Sequence, residues 1–242
     1  MNLKRKKILI TGAAKRIGKT IALTFAQRGA DVLIHYHQSK NEAESLAKEI
    51  EKLGSHCSLY SADLSKSEEI LQLTQQIIKK EQSLDILIHN ASVFYPTPLQ
   101  EVTEKDWDIF LDLHVKAPFF LAQQLAPLLK KSAQGRIINI ADGSMPHFYP
   151  NYIPYCTSKA ALITLTQSLA KALAPEILVN AICPGLILPT PGMEEVQNKI
   201  AVQDTLAKRW GGADEVAKMA VHLAESDFIT GQSFVVGGGE NR

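Results

Sequence analysis

Seven short apolar runs, separated by longer segments of helical period, constrain the fold of this chain more than any other feature. The runs are Ile8–Ile10, Val32–Ile34, His56–Tyr60, Ile86–Ile88, Ile137–Ile140, Val179–Ile182 and Phe234–Val236. Most are continuous rather than alternating in hydrophobicity, as parallel strands covered on both faces require. Helical patterns lie between them at about 16–28, 40–53, 65–81, 103–131, 154–173 and 213–224, with Ser65, Thr103 and Asp214 as N-terminal signals. Such alternation calls for right-handed crossovers. The expected fold is α/β: one domain built on a doubly wound parallel sheet of about seven strands, with helices on both faces. One stretch departs from the alternation, about 187–208, rich in Pro, Thr and Gly at its start, and is expected to form a lid.

With 242 residues and no linker or repeat, one large domain is the better reading. A net charge of +1 leaves no electrostatic footprint for nucleic acid or an anionic membrane. Cys57, Cys156 and Cys183 lie far apart and read as free thiols of a reducing compartment. The basic start, Met1–Lys7, is followed by an apolar run too short for a signal peptide or a spanning helix. The expectation is a soluble, cytoplasmic protein.

Thr11-Gly-Ala-Ala-Lys-Arg-Ile-Gly18 follows the first strand and opens the first helix. That context suits a dinucleotide turn, where glycine admits the pyrophosphate and a helix N-terminus favours its charge. Gly12, Lys15, Arg16, Ile17 and Gly18 are its candidate cofactor residues, although Arg16 stands where a middle glycine is usual. A site for NAD places an acid at the end of the second strand to hold the ribose 2′-hydroxyl. Here the segment is His35-Tyr36-His37-Gln38-Ser39-Lys40, acid-free and rich in donors, which favours NADPH over NADH. His35 and His37 share a strand face, but no third metal ligand accompanies them. Asp63-Leu64 fits either an adenine contact or a simple loop or helix cap.

Asn90-Ala91-Ser92 follows the fourth strand at the carboxyl edge where open α/β sheets bind ligands. Asn90 serves there as a cofactor contact, as a tie between strands, or as both. Asp142 ends the fifth strand. Tyr155 and Lys159, four residues apart on the next helix, project from one face. A nearby ammonium is expected to lower the tyrosine pKa towards working pH. Pro184-Gly185-Leu186 follows the sixth strand, where a carboxamide meets backbone.

Taken together, these residues resemble a short-chain dehydrogenase/reductase from about residue 6 to 240, and within that superfamily the pteridine reductases, including the bacterial dihydromonapterin/dihydrofolate reductase type. The carrying motifs are the Thr11–Gly18 turn, His35–Ser39, the run Asn90-Ala-Ser-Val-Phe-Tyr-Pro-Thr-Pro-Leu99, and Asp142 with Tyr155 and Lys159. The resemblance implies a Rossmann-type fold and a homotetramer. It implies that Arg16 lies near both pyrophosphate and pterin, that Ser92 contacts cofactor and substrate, and that Phe94 stacks on the pterin against the nicotinamide. Tyr152 would line the same pocket, and Lys159 would hold the nicotinamide ribose and bias Tyr155. An isolated aromatic such as Phe94 also reads as a core residue.

Most of the superfamily has serine where this chain has Asp142. A carboxylate accepts hydrogen bonds and cannot donate unless protonated, which suits a substrate presenting ring N–H or amino groups. The expected reaction is reduction of a C=N bond to give a tetrahydropterin, with the proton supplied through Tyr155 and Asp142. His114 stands in place of a relay asparagine and reads either as a catalytic relay or as a satisfied core histidine. Gln38 replaces an arginine that would clamp the 2′-phosphate, His89 replaces an asparagine, and Gly237 replaces an aspartate. The enzymatic runner-up is a 3-oxoacyl or other carbonyl reductase of the same superfamily. A non-catalytic NADPH-binding sensor is the remaining reading, and the retention of Tyr155 and Lys159 argues against it.

Overall fold

The computed structural model describes residues 1–143, 149–189 and 203–240. Strands β1 (Lys7–Ile10), β2 (Asp31–Tyr36), β3 (Cys57–Ser61), β4 (Ile86–His89), β5 (Gly135–Ile140), β6 (Ile177–Pro184) and β7 (Ser233–Val236) form one sheet in the order β3-β2-β1-β4-β5-β6-β7. Every neighbouring pair is parallel. The sheet is accompanied by helices α1 (Arg16–Gln27), α2 (Lys40–Lys52), α3 (Ser67–Lys80), α4 (Glu104–Leu111), α5 (Ala117–Leu129), α6 (Ile153–Leu173) and α7 (Ala213–Glu225).

Alternate strand residues divide the core into two layers. Ile8, Ile10, Ile34, Ile88, Ile138 and Ile182 join α1, α2 and α7 on one face. Leu9, Leu33, Leu87, Ile137 and Val179 join α3, α5 and α6 on the other. Burial of each such Ile or Leu contributes about 1.5–3 kcal/mol, which is why the strands are apolar on both faces. The chain order reverses between β1 and β4, the switch point outside which open α/β sheets bind ligands.

The segment 103–131 differs from the single helix its pattern suggests. Between α4 and α5, Asp112–Lys116 forms a π-turn, and the Ala117 N–H donates to the Asp112 carbonyl five residues back. Pro118, with no N–H to continue the ordinary ladder, follows immediately. The wider turn directs His114 into the interior, where it is buried.

Of the three expected N-terminal signals, Thr103 alone caps its helix. Its hydroxyl accepts from the Asp106 N–H at 3.1 Å, and Asp106 reciprocates. Ser65 instead bonds Asp63, and α3 starts two residues later. Asp214 lies in the first turn of α7 behind Gly212, where its charge complements the helix dipole. The central part of the expected lid, 190–202, lies outside the described residues. No helix among the described residues is long and apolar enough to cross a membrane.

Candidate active site

The turn after β1 is shaped by close approach. Gly12 has φ +60°, and a Cβ there would lie 2.8 Å from Ala91 Cα. A Cβ on Gly18 would lie 2.5 Å from the Gly12 carbonyl. Arg16 also has positive φ, +52°, so the position keeps the left-handed backbone that a glycine would adopt without strain. Its guanidinium donates to the Pro189 carbonyl at 3.1 Å. Helix α1 begins at Arg16 with no side-chain cap and no acid in its first turn, so the partial positive charge of its amide dipoles is left uncompensated, as an anion site requires. Ile17 packs partly buried against the core.

Asn90 ties this turn to β4. Its amide donates to the carbonyls of Thr11 and Gly12 at 3.0 and 2.9 Å. The Thr11 hydroxyl oxygen accepts from the N–H groups of Asn90 and Ala91. His35 supports the same turn from β2: its Nδ1 accepts from the Gly12 N–H at 3.1 Å, so Nε2 carries the proton, 3.0 Å from the Ala62 carbonyl. Burial lowers its pKa to about 4. His35 is therefore a neutral brace with both ring nitrogens committed within the protein, rather than the free donor to the cofactor that was expected.

The polar rim beyond β2 holds His37, Ser39, Lys40 and Lys15, together with an acid that the strand-end reading missed. Glu42, on the first turn of α2, pairs with Lys15 at 2.7 Å. It escaped notice because the search for a ribose-binding acid ends at the strand. Tyr36 is half-buried, and its carbonyl accepts from the Ala62 N–H. His37 Nε2 lies 3.9 Å from Asp63 Oδ2. Asp63 accepts from the Ser65 N–H and hydroxyl at 3.0 and 2.7 Å, so its carboxylate closes the loop into α3, while Leu64 is buried.

The opposite wall rises from β5, α6 and β6. Tyr155 Oη donates to Asp142 Oδ2 at 2.6 Å. Lys159 Nζ donates to the Ile140 carbonyl at 2.9 Å and lies over the Tyr155 ring, 5.8 Å from its centroid. Burial, then the Asp142 charge and its hydrogen bond, push the Tyr155 pKa well above 10. The expected lowering by Lys159 is thus reversed, because a buried phenol beside a carboxylate keeps its proton. Burial lowers the Lys159 pKa to about 8, partly opposed by Asp142. The Asp142 loop is held by the Gly143 N–H, which donates to the Pro184 carbonyl at 2.7 Å. Gly185 lies close against Gly237, and the Leu186 carbonyl accepts from the Gly211 N–H.

Aromatic rings line the crevice. Phe94 stacks on Tyr152 with centroids 4.6 Å apart and planes 8° from parallel, and meets Tyr155 edge-on at 4.9 Å. The Thr97 N–H donates to the Asn151 carbonyl at 2.7 Å, which holds the two loops together. Phe94 is 51% exposed and so is not a core residue; one of its faces is covered by Tyr152.

His114 bonds neither Tyr155 Oη nor Lys159 Nζ. Its Nε2 lies 2.9 Å from Ser92 Oγ and 3.3 Å from the Val93 N–H, and its Nδ1 lies 2.8 Å from Ser158 Oγ. Burial, reinforced by Lys159, lowers its pKa well below 6.5. Ser158, inside the Tyr155–Lys159 stretch, was not singled out from the sequence. Its position three residues after Tyr155, on the same side of the helix, was the available signal.

A family model described as enoyl-(acyl carrier protein) reductase matches residues 12–241. Among curated proteins, the 3-oxoacyl-[acyl-carrier-protein] reductase FabG of Thermotoga maritima is 35% identical, covering 99% of each chain. Among solved structures, FolM alternative dihydrofolate reductase 1 from Brucella canis, complexed with NADP, has a TM-score of 0.90 and 31% identity, covering 99% of this chain and 96% of its own. A blue fluorescent protein from a metagenomic library, in complex with NADPH, also has a TM-score of 0.90 and 31% identity, with full coverage of both chains.

Proposed function

Within the short-chain dehydrogenase/reductase superfamily, to which the chain belongs, we propose that it acts as an NADPH-dependent pteridine reductase. The chain is an NAD(P)-dependent oxidoreductase of that superfamily; the substrate and the preference for the phosphorylated cofactor are what is proposed. The reaction would reduce a ring C=N bond of a dihydro or oxidised pterin to the tetrahydro form.

One observation carries the reading: the Tyr155 hydroxyl donates to Asp142 at 2.6 Å. A carbonyl oxygen about to gain negative charge needs donors around it. The position beside Tyr155 holds an acceptor, which suits a ring bearing amino and N–H groups. Tyr155 holds the proton to be delivered to the ring nitrogen, and Lys159 supplies the cation that the resulting phenolate needs. Asp142 holds a donor edge of the ring so that the nitrogen faces Tyr155.

The turn suits a dinucleotide, since Gly12 and Gly18 let it pack tightly where a Cβ would meet neighbouring backbone, and α1 begins with no side-chain cap and no first-turn acid. Lys15 and Arg16 would hold its phosphates, and Lys159 its nicotinamide ribose. NADPH supplies the hydride when bound. The solved neighbours complexed with NADP or NADPH support the phosphorylated form. A homotetramer belongs to the same proposal and is read by light scattering.

The second reading is a 3-oxoacyl or other carbonyl reductase. The curated sequence relatives favour it over the first, since 3-oxoacyl-[acyl-carrier-protein] reductases of Thermotoga maritima, Staphylococcus epidermidis and Synechocystis match this chain at 31–35% identity. Asp142 is the feature set against it. Replacing Asp142→Ser tests the point: pterin kcat/KM should fall by about 100-fold or more while NADPH affinity stays within about threefold. Unchanged pterin kinetics in that variant would remove Asp142 from the mechanism.

A further inference from the structure

The hydrogen bonds around His114 leave one consistent set of proton positions. Ser158 Oγ donates to the Tyr155 carbonyl at 2.7 Å, and a carbonyl can only accept. Ser158 therefore accepts from His114 Nδ1, which carries the proton. His114 Nε2 is then the bare nitrogen, as the Val93 N–H pointing at it independently requires. Ser92, 2.9 Å away, gives its hydroxyl proton to Nε2; the competing Val93 carbonyl lies at 3.4 Å.

We propose that His114 is a positioning residue that takes the hydroxyl proton of Ser92, so that Ser92 meets the ligand as a hydrogen-bond acceptor only. A serine hydroxyl ordinarily offers one donor and two acceptor sites, and adapts to either kind of ligand group. With its proton committed, this exposed serine at the mouth of β4 presents lone pairs alone. Asp142 across the crevice is likewise an acceptor. Two fixed acceptors facing one ligand select for N–H or O–H donors and disfavour a lone carbonyl oxygen, since an acceptor that a bound ligand covers with another acceptor loses its hydrogen bond to water without gaining one.

The device depends on the fold. The π-turn Asp112–Lys116 brings His114 into the wall, the chain after β4 supplies Ser92, and α6 supplies Ser158 as the anchor for Nδ1. Aromatic contacts with Phe110 at 5.8 Å and Tyr155 at 5.7 Å hold the ring in place. In this arrangement His114 shapes ligand choice and does not carry the proton to Tyr155.

The substrate preference rests on the pteridine reductase reading; the proton assignment does not. Long-range ¹⁵N–¹H correlation of the histidine rings in the ligand-free enzyme reads the assignment directly. Protonated Nδ1 with bare Nε2 is expected for His114, and a proton on Nε2 would overturn the proposal whatever the substrate. Steady-state kinetics with a dihydropterin and NADPH then test the consequence. Ser92→Ala and His114→Phe should each raise the pterin KM by about tenfold, the loss of one hydrogen bond, with a smaller fall in kcat. The double variant should be no worse than either single one, and additive effects would refute action through Ser92. Ser158→Ala, which frees Nδ1 without altering the crevice, should reproduce part of the His114→Phe effect and guards against misfolding of the larger change. A wild-type enzyme inert towards every pterin would overturn the proposed function and leave the spectroscopic assignment to stand or fall alone.

Discussion

Asp142 and Tyr155 are joined directly between the end of β5 and α6, with the phenol donating to the carboxylate at 2.6 Å. Burial is the larger cause of the raised tyrosine pKa, and the charge and hydrogen bond of Asp142 add to it by favouring the protonated phenol. Asp142→Asn keeps the shape and removes the charge. The phenolate of Tyr155, followed by its ultraviolet absorbance, should then appear at lower pH than in the wild type. An unchanged titration would mean that burial alone sets the tyrosine.

Lys159 carries a cost that function imposes. Its folded pKa is about 8, against 10.5 for a free lysine, so burying its ammonium opposes folding by about 3 kcal/mol at pH 7. Below pH 8 both states hold the proton and the cost is constant. Between pH 8 and 10.5 the folded state sheds the proton while the unfolded chain retains it, so stability rises with pH. Lys159→Met should raise the Tm of the ligand-free protein at pH 7, flatten that rise, and abolish turnover. A lower Tm would contradict the burial argument.

Acid should weaken the fold through buried histidines. The pKa values of His35 and His89 fall to about 4 and about 3 by burial, and that of His114 falls well below 6.5. As pH drops below 6.5 the unfolded chain binds protons that the folded chain refuses, so stability is lost, by about 2 kcal/mol for each of His35 and His89 by pH 5. Among the described residues, neither ring nitrogen of His89 has a hydrogen-bond partner. His89→Asn should therefore reduce the pH dependence of urea unfolding by one proton's worth. An unaltered slope would exclude His89 from the effect.

Glu42 competes for Lys15, which is proposed to hold phosphate. Both side chains are about half-exposed, so the pair is open to salt screening. Glu42→Gln should tighten NADPH binding by about threefold at low ionic strength, and the gain should shrink as salt rises. Isothermal titration of the two proteins at two salt concentrations measures this. Weaker binding by the variant would assign Glu42 to the ribose instead.

How far the sequence was legible follows from the range of each interaction. Parallel strands covered on both faces write themselves as continuous apolar runs, so β1 to β7 could be located within a residue or two. The break between α4 and α5 could not, since a π-turn changes backbone bonding without changing side-chain period, and Pro118 was its one trace. Asp142, Tyr155 and Lys159 were legible as a group, but the direction of the Tyr155 pKa depends on burial and on a 2.6 Å contact that spacing does not encode. The bonds of His35 to Gly12 and of His114 to Ser92 and Ser158 were illegible for the same reason. They join residues 23, 22 and 44 positions apart that only the folded topology brings together.

The most direct measurement compares kcat/KM for a dihydropterin and for an acetoacetyl thioester, side by side, with NADPH and the same enzyme preparation. The expected result is a preference for the pterin of at least about 100-fold, because a donor-rich ring hydrogen-bonds to the Asp142 carboxylate, whereas a carbonyl oxygen there meets another acceptor. Equal or faster reduction of the thioester would contradict the pteridine assignment and identify the chain as a carbonyl reductase.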